Sequence, residues 1–96
     1  MEENKDKGNI VFIGNKEYNG KLDYKLYYNV IMKVLSNHPE AIIKTRGKRI
    51  SDAVSLATFI ERIKGKKITE IKATSEKFEG KDGKERYVPE ISITLK

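Results

Sequence analysis

Hydrophobic positions along the chain fall into short blocks with two different spacings. Residues 10–13 form a continuous apolar run, Ile-Val-Phe-Ile, which is typical of a short strand buried on both faces. Ala41, Ile42 and Ile43 form a second run of this kind. Near the end of the chain, residues 91–95 alternate between apolar and polar side chains, the period of two that belongs to a strand with one buried face. These blocks predict three strands.

Two segments between these blocks carry apolar residues at helical spacing. After the polar, turn-forming residues 15–22, Asp23 is placed to cap a first helix that ends at Asn37-His38-Pro39. Ser51 is placed to cap a second helix that stops at Gly65. The residues expected to face inward are Tyr27, Val30, Ile31, Val34 and Leu35 in the first helix, and Ile50, Ala53, Val54, Ala57, Ile60 and Ile63 in the second.

The remaining segment predicts a β-hairpin and completes the topology. Residues 67–78 are rich in Ile, Thr and Ser, and Gly80-Lys81-Asp82-Gly83 is a turn sequence before the alternating last strand. The order is therefore β-α-β-α-β-β. Two crossovers of the same hand place both helices on one face of a four-stranded mixed sheet, an α+β two-layer sandwich with its other face partly open. Residues 9–96 form one domain, and residues 1–8, which lack periodicity, are expected to be a mobile tail.

Composition excludes several classes of function. The chain has no cysteine, which removes disulfides, thiolate catalysis and the usual structural zinc sites. Its longest uncharged apolar run is too short to span a bilayer and no signal peptide is seen, so we expect a soluble intracellular protein with no membrane partner. Ser51 has no evident base partner, and His38 is expected to meet the last carbonyls of the first helix. We predict no catalytic residue, metal, cofactor or small-molecule substrate, and hence no enzyme.

A cluster of cations marks the passage from the second strand to the second helix. The chain carries 20 Lys plus Arg against 14 Asp plus Glu, a net charge of +6, and four of the cations fall within six positions: Lys44, Arg46, Lys48 and Arg49. The first turn of a helix favours anions, so cations there are unfavourable, and Asp52 offsets only part of this repulsion. A bound phosphate would reverse the conflict, and Gly47 would let the backbone approach it closely. These residues favour phosphate binding over a solvated loop.

Other basic and aromatic residues could extend this surface. Lys16 follows the first strand at the sheet edge where the second strand also ends, because parallel strands end on the same side. The hairpin tip carries four charges of each sign, among which Arg86 is the best phosphate ligand, although cross-strand ion pairing is an equal alternative. Tyr18 and Tyr24 are as consistent with packing over the helix start as with stacking on unpaired bases.

Three segments resemble the Alba family of small archaeal chromatin and RNA-binding proteins. They read N-I-V-F-I-G-N-K at 9–16, E-A-I-I-K-T-R-G-K-R-I-S-D-A-V at 40–54 and D-G-K-E-R-Y-V-P-E-I-S-I at 82–93. The resemblance implies a fold like the C-terminal domain of translation initiation factor three, a homodimer, and sequence-tolerant binding of double-stranded DNA and of RNA. It also implies a cytoplasmic, chromosome-associated protein that condenses DNA. In the family, the central basic loops approach the duplex while the hairpins reach out as arms. Lys16, Arg46 and Lys48 match basic positions of the family's binding surface, and Arg86 matches one near the hairpin.

Together these observations predict a non-enzymatic homodimer that binds double-stranded DNA, RNA or both through phosphates. The predicted binding residues are Lys16, Lys44, Arg46, Gly47, Lys48, Arg49 and Arg86. Two alternatives stay open. One is an RNA-binding subunit of a ribonucleoprotein, favoured if Tyr18 and Tyr24 stack on unpaired bases. The other is a protein-interaction module that uses the open sheet face and the charge-balanced hairpin.

Overall fold

A mixed four-stranded sheet, covered on one face by two helices, makes up most of the fold. The structure, a computed structural model, describes residues 8–14, the backbone of 17–18, and residues 20–96. The strands are β1 (Ile10–Phe12), β2 (Glu17–Tyr18), β3 (Lys21–Leu22), β4 (Ala41–Arg46), β5 (Ile68–Glu79) and β6 (Glu85–Leu95), and the helices are α1 (Tyr24–Asn37) and α2 (Ile50–Lys64). The expected mobile tail lies outside the described residues except for Gly8.

The strand order confirms the predicted topology. The sheet runs β1-β4-β6-β5, with β1 parallel to β4 and the other neighbours antiparallel. Alternate residues of each central strand point into the helical layer, so Ile43 of β4 and Ile93 of β6 lie in the core while Lys44 and Ser92 face the other side. No helix in the described part of the chain is long and apolar enough to cross a membrane.

β1 differs from its prediction, because only one of its faces is buried. Val11 lies in the core, as does Ile13 just after the strand, whereas the Phe12 side chain is 56% exposed. The strand lies at the edge of the sheet and its second face is not covered by a helix. A continuous apolar run therefore does not distinguish a strand enclosed on both faces from an edge strand with an exposed ring.

The core stripe of each helix is narrower than predicted. In α1, Tyr27 and Ile31 are buried, but Val30 is 39% exposed. In α2, the buried residues are Ala53, Leu56, Ala57 and Ile60. Val54 and Ile63 were expected to face inward and are exposed, because each residue turns the helix by about 100° and both fall outside this stripe. Leu56 was not expected to face inward, but it falls within the stripe and is buried.

The helix ends test the capping predictions. Asp23 caps α1 as predicted, since its side chain accepts a hydrogen bond from the Leu26 N–H at 3.1 Å. Gly65 ends α2 in the left-handed conformation (φ 68°), and its N–H donates to the Glu61 carbonyl. The prediction for Ser51 is wrong: α2 already begins at Ile50, which places Ser51 inside the first turn.

A two-stranded ribbon replaces part of the loop predicted at residues 15–22. β2 and β3 pair in antiparallel fashion, with Tyr18 opposite Lys21, and Leu22 is buried in the core. Strands of two residues are too short to show a periodicity, which explains why the sequence pattern indicated only a turn. The ribbon leads directly into α1 through Asp23.

Candidate functional site

The site lies at the edge of the sheet where the parallel strands β1 and β4 both end. The Thr45 hydroxyl, which is buried, donates to the Ile13 carbonyl at 2.8 Å, and the Ile13 N–H donates to the Lys44 carbonyl at 2.9 Å. The Gly14 N–H donates to the Tyr27 hydroxyl oxygen at 3.1 Å. These bonds hold the end of β1 against β4 and α1 and give this edge a fixed backbone.

The basic segment is divided between a strand and a tight turn. β4 continues through Arg46, so Lys44 and Arg46 are strand residues rather than turn residues as predicted. Residues 47–49 form a single 3-10 turn, in which Gly47 has a φ of 63° and its carbonyl accepts from the Ile50 N–H. Because only glycine adopts this left-handed conformation readily, the fold itself requires Gly47. Its expected closeness to a ligand stays a prediction.

Three of the predicted cations line one cleft beside this turn. The cleft has a volume of about 380 Å³ and is lined by Phe12, Ile13, Gly14, Thr45, Arg46, Lys48 and Arg49. We call it the basic cleft. Thr45 and the end of β1 form its rigid part, while long cationic side chains from β4 and the turn supply its charge. Such a surface suits a polyatomic anion, such as a phosphate group, that several side chains contact from different directions.

Arg46 is tied to the hairpin by three contacts. Its Nε lies 3.2 Å from Glu90 Oε2 and 3.2 Å from Glu76 Oε1, and its guanidinium lies over the Phe78 ring at 5.4 Å from the ring centre. The Arg46 side chain is nevertheless 46% exposed. The Glu76 side chain is 45% exposed as well, so this ion pair contributes at most about 1 kcal/mol and an arriving phosphate could replace that carboxylate at little cost.

Arg49 is held more firmly than Arg46. Its Nη1 donates to Asp52 Oδ2 at 3.1 Å, and its side chain is only 12% exposed. The Tyr24 hydroxyl donates a hydrogen bond to the other carboxylate oxygen, Asp52 Oδ1, at 2.5 Å. This bond raises the pKa of Tyr24 to about 12, and the same hydroxyl, together with Arg49, lowers the pKa of Asp52. Asp52 thus offsets the cations at the start of α2, as the sequence indicated.

The two lysines have no carboxylate partner within the described residues. Lys48 projects from the turn, is exposed, and forms no ion pair with any residue that the structure describes. Lys44 is half-buried on the uncovered sheet face, on the same side of β4 as Arg46, and lines a shallow groove with Glu90 and Ser92. Lys48 is therefore the most available cation of the basic cleft.

The hairpin extends beyond the rest of the sheet and carries Arg86. β4 pairs with β6 only as far as Glu90, opposite Arg46, whereas β5 and β6 remain paired out to Glu79 and Glu85. We call residues 75–89 the arm. Arg86 lies directly across from Phe78, the ring under Arg46, and its side chain is 70% exposed, with Asp82 at 3.8 Å. Lys77 forms a cross-strand ion pair with Glu85 at 2.7 Å, so the cross-strand ion pairing that was the alternative to phosphate binding is present in part of the arm.

The structure brings together most of the predicted site. Arg46, Gly47, Lys48 and Arg49 surround the same edge of the sheet, Lys44 lies beside them on the uncovered face, and Arg86 continues the surface along the arm. Lys16 lies outside the described residues. The sequence indicated Asp52 as a counter-charge but not its bond to Tyr24, and it gave no sign of the residues that hold Arg46, which are Glu76, Phe78 and Glu90. Their pairing depends on strand register and helix packing, for which a single sequence carries no signal.

Comparison with known proteins identifies the relatives of this fold. The DNA/RNA-binding protein Alba of Methanococcus maripaludis is 39% identical over 90 residues, which is 91% of this chain and 96% of the relative. The protein of the same name from Nitrosopumilus maritimus is 39% identical over 80 residues, or 80% of this chain and 84% of the relative. No family model matches the chain.

Solved structures agree with the sequence comparison. Alba from Thermoplasma volcanium superposes with a TM-score of 0.74 at 33% identity, covering 91% of this chain and 98% of that one. ALBA1 from Trypanosoma brucei gives a TM-score of 0.69 at 17% identity over 91% of this chain and 67% of that one, a likeness that concerns the fold alone. The chain shares 39% identity with a relative over nearly the full length of both proteins, and its fold matches a solved Alba structure. It therefore belongs to the Alba family.

Proposed function

We propose that this protein binds nucleic acid through phosphate contacts made by the basic cleft and the arm. The observation that carries the proposal is the convergence of Arg46, Lys48 and Arg49 on one cleft with a fixed backbone edge. The names of its relatives, DNA/RNA-binding protein Alba, support the same class of ligand. Phosphates are common to all sequences, so the protein binds with little base preference.

The cations differ in what each contributes to phosphate binding. Lys48 offers an ammonium group without a carboxylate partner in the described chain. Arg46 exchanges its exposed partner Glu76 for a phosphate, which its planar guanidinium grips with two N–H groups. Arg49 keeps its bond to Asp52 and, from its largely covered position in the wall of the basic cleft, adds to the positive potential there. Lys44 and Arg86 extend the surface onto the sheet and along the arm, and we retain Gly47 and Lys16 as further members of the site.

A homodimer is the second part of the proposal. β5 is an edge strand of twelve residues, and in the described structure its outer side has no strand partner. Ile71 points to the helical side of β5 but is 55% exposed, and Ile63 at the end of α2 is 54% exposed. Covering these residues with a second copy would remove apolar surface from water. A dimer would also present two basic clefts and two arms to one ligand.

Double-stranded DNA suits this arrangement best. Two extended arms and two basic clefts, acting together, would follow the backbone of a duplex and give the protein an architectural role on the chromosome. RNA offers the same phosphates, so the surface accepts it as well. No step in this proposal requires a chemical reaction, and we infer a binding protein rather than an enzyme.

The salt dependence of binding tests this proposal. Each phosphate contact releases a counterion, so Lys48→Ala should flatten the plot of log affinity against log salt by about 1 for every subunit in contact with the duplex. The affinity for duplexes of different sequence should fall by the same factor. The measurement is a fluorescence-anisotropy titration of one labelled duplex at several salt concentrations.

Lys67→Ala is the matched control, because it removes the same charge at the opposite end of the sheet, where Lys67 pairs with Lys96 through the backbone. The slope for this variant should stay that of the original protein. If the original protein binds duplex with no salt dependence, or if both variants change the slope equally, the basic cleft is not the phosphate site.

A further inference from the structure

A second, mostly apolar cleft separates the two helices on the outer surface of the helical layer. Its volume is about 630 Å³, within the range of about 300–1,000 Å³ that is usual for small-ligand sites. The lining residues are Tyr24, Lys25 and Tyr28 from α1, and Ser55, Leu56 and Phe59 from α2. Leu56 is buried and forms the floor, whereas Tyr24 and Phe59 are 39% and 41% exposed. We call it the aromatic cleft.

Aromatic rings and cations are interleaved around this cleft. Tyr28 and Phe59 meet edge to face, with their ring centres 6.0 Å apart and their planes at 71°. The Arg62 guanidinium lies 5.7 Å from the centre of the Phe59 ring, and Lys25 lines the opposite wall on α1. Exposed rings beside cations are the combination that holds unpaired bases while the cations meet the phosphates that flank them.

Asp52 links the aromatic cleft to the basic cleft. Tyr24 lines the first, Arg49 lines the second, and Asp52 is hydrogen-bonded to both side chains. The bond to Asp52 holds the Tyr24 hydroxyl, so the ring has a defined position at the N-terminus of α1. A strand with a phosphate on Lys48 in the basic cleft would therefore lie close to the Tyr24 ring.

We propose that the aromatic cleft takes an unpaired nucleobase from a single-stranded stretch of the nucleic acid bound at the basic cleft. This inference rests on the proposed function and names a further site for it. A second copy of the chain is a poorer occupant, because a two-fold contact across the cleft would bring Lys25 and Arg62 of one copy towards the same residues of the other. A base with its flanking phosphates brings the opposite charge.

The test compares a short oligouridylate with an abasic strand of the same length, which has the same phosphates and no bases. The ratio of the two affinities measures what the bases contribute. Phe59→Leu keeps the cleft apolar but removes the ring, and it should weaken oligouridylate binding by about tenfold while leaving the abasic strand and a duplex unchanged. Tyr24→Leu should act in the same direction. The control is Val54→Ala, which trims an apolar side chain of α2 that is 38% exposed and does not line the aromatic cleft.

The outcomes separate the two proposals. If Phe59→Leu and Tyr24→Leu, folded by circular dichroism, leave the affinity ratio unchanged, the aromatic cleft does not bind bases, although a salt slope that depends on Lys48 would still support the basic cleft. Equal weakening of all three ligands would also overturn the inference. So would a loss of self-association in Phe59→Leu by sedimentation, since it would show a contact between copies. Failure of the original protein to bind any strand would refute the proposed function itself.

Discussion

At the scale of single residues, the partners of a cation decide its role more than its charge does. Arg49 and Lys48 are neighbours in the same turn, but Arg49 is bonded to Asp52 and largely covered, whereas Lys48 is exposed without an ion pair in the described structure. Tyr24 shows the same principle, because a tyrosine that could have packed with its hydroxyl in water instead donates to Asp52. Asp52 thus connects the basic turn to the start of α1.

The Tyr24–Asp52–Arg49 cluster predicts a pH dependence of stability. The pKa of Asp52 is lower in the folded protein than in the unfolded chain, so its contribution to stability is present above about pH 4 and is lost as the pH falls through the lowered value. Asp52→Asn should reduce the free energy of unfolding by about 1 kcal/mol at neutral pH. The difference between the two proteins should shrink as the solution is acidified.

Urea unfolding at a series of pH values measures this difference. Asp82→Asn is the control, since Asp82 lies in the exposed hairpin turn and an asparagine can still accept the hydrogen bond from the Lys84 N–H. A constant gap between Asp52→Asn and the original protein from neutral to acidic pH would show that the carboxylate charge does not stabilise the fold.

At the scale of elements, the arm depends on contacts with the body of the protein. A two-stranded ribbon alone is marginally stable in water, and residues 75–89 extend past the end of β4. Arg46 connects the two parts, because it belongs to β4 and contacts Glu76 and Phe78 of β5 as well as Glu90 of β6. The same side chain therefore orients the arm and, in our proposal, binds phosphate.

This double role predicts that a carboxylate on the arm competes with the ligand. Glu76→Gln removes one charge that holds Arg46 and should raise the affinity for duplex DNA. Glu70→Gln is a matched control, because it removes the same charge from the same strand at a residue that pairs with Lys72 instead. Glu76→Gln should exceed this control by about threefold, the equivalent of one exposed ion pair. Equal affinities of the two variants, measured by anisotropy at one salt concentration, would show that Glu76 does not restrain Arg46.

At the scale of the whole molecule, the two edges of the sheet differ in length. β1 is a short edge strand, whereas β5 exposes a long outer edge with Ile71 on its helical side. The basic cleft and the arm lie at one end of the sheet, so a partner at the other end of β5, around Ile71, would leave them accessible. This geometry is compatible with self-association and ligand binding at the same time.

The proposed dimer predicts a position-specific effect of charge. Ile71→Lys should leave the monomer folded, because Ile71 is exposed there, but should convert the dimer to a monomer in the absence of nucleic acid. Val30→Lys introduces the same charge at an apolar residue of α1 that is 39% exposed, and it should remain dimeric. Light scattering coupled to size-exclusion chromatography gives the mass of each variant. An unchanged mass for Ile71→Lys would place the dimer contact elsewhere or refute it.

The sequence by itself determined the order of the two helices and of the strands in the four-stranded sheet, the layered α+β class, the cap at Asp23 and the stop at Gly65. These features follow from local periodicity and from backbone preferences, which a single chain displays directly. The same holds for the basic segment, whose residues are adjacent along the chain, and for the family resemblance that the comparisons confirmed.

Only the tertiary structure decided what those residues touch. Arg46 meets Glu76 and Glu90 because β4, β6 and β5 align in one register, and Tyr24 meets Asp52 because α1 and α2 lie side by side. Packing also explains why Phe12 is exposed at the edge of the sheet and why the aromatic cleft forms between α1 and α2. Contacts between residues distant in sequence depend on how elements pack, and no local pattern encodes that packing.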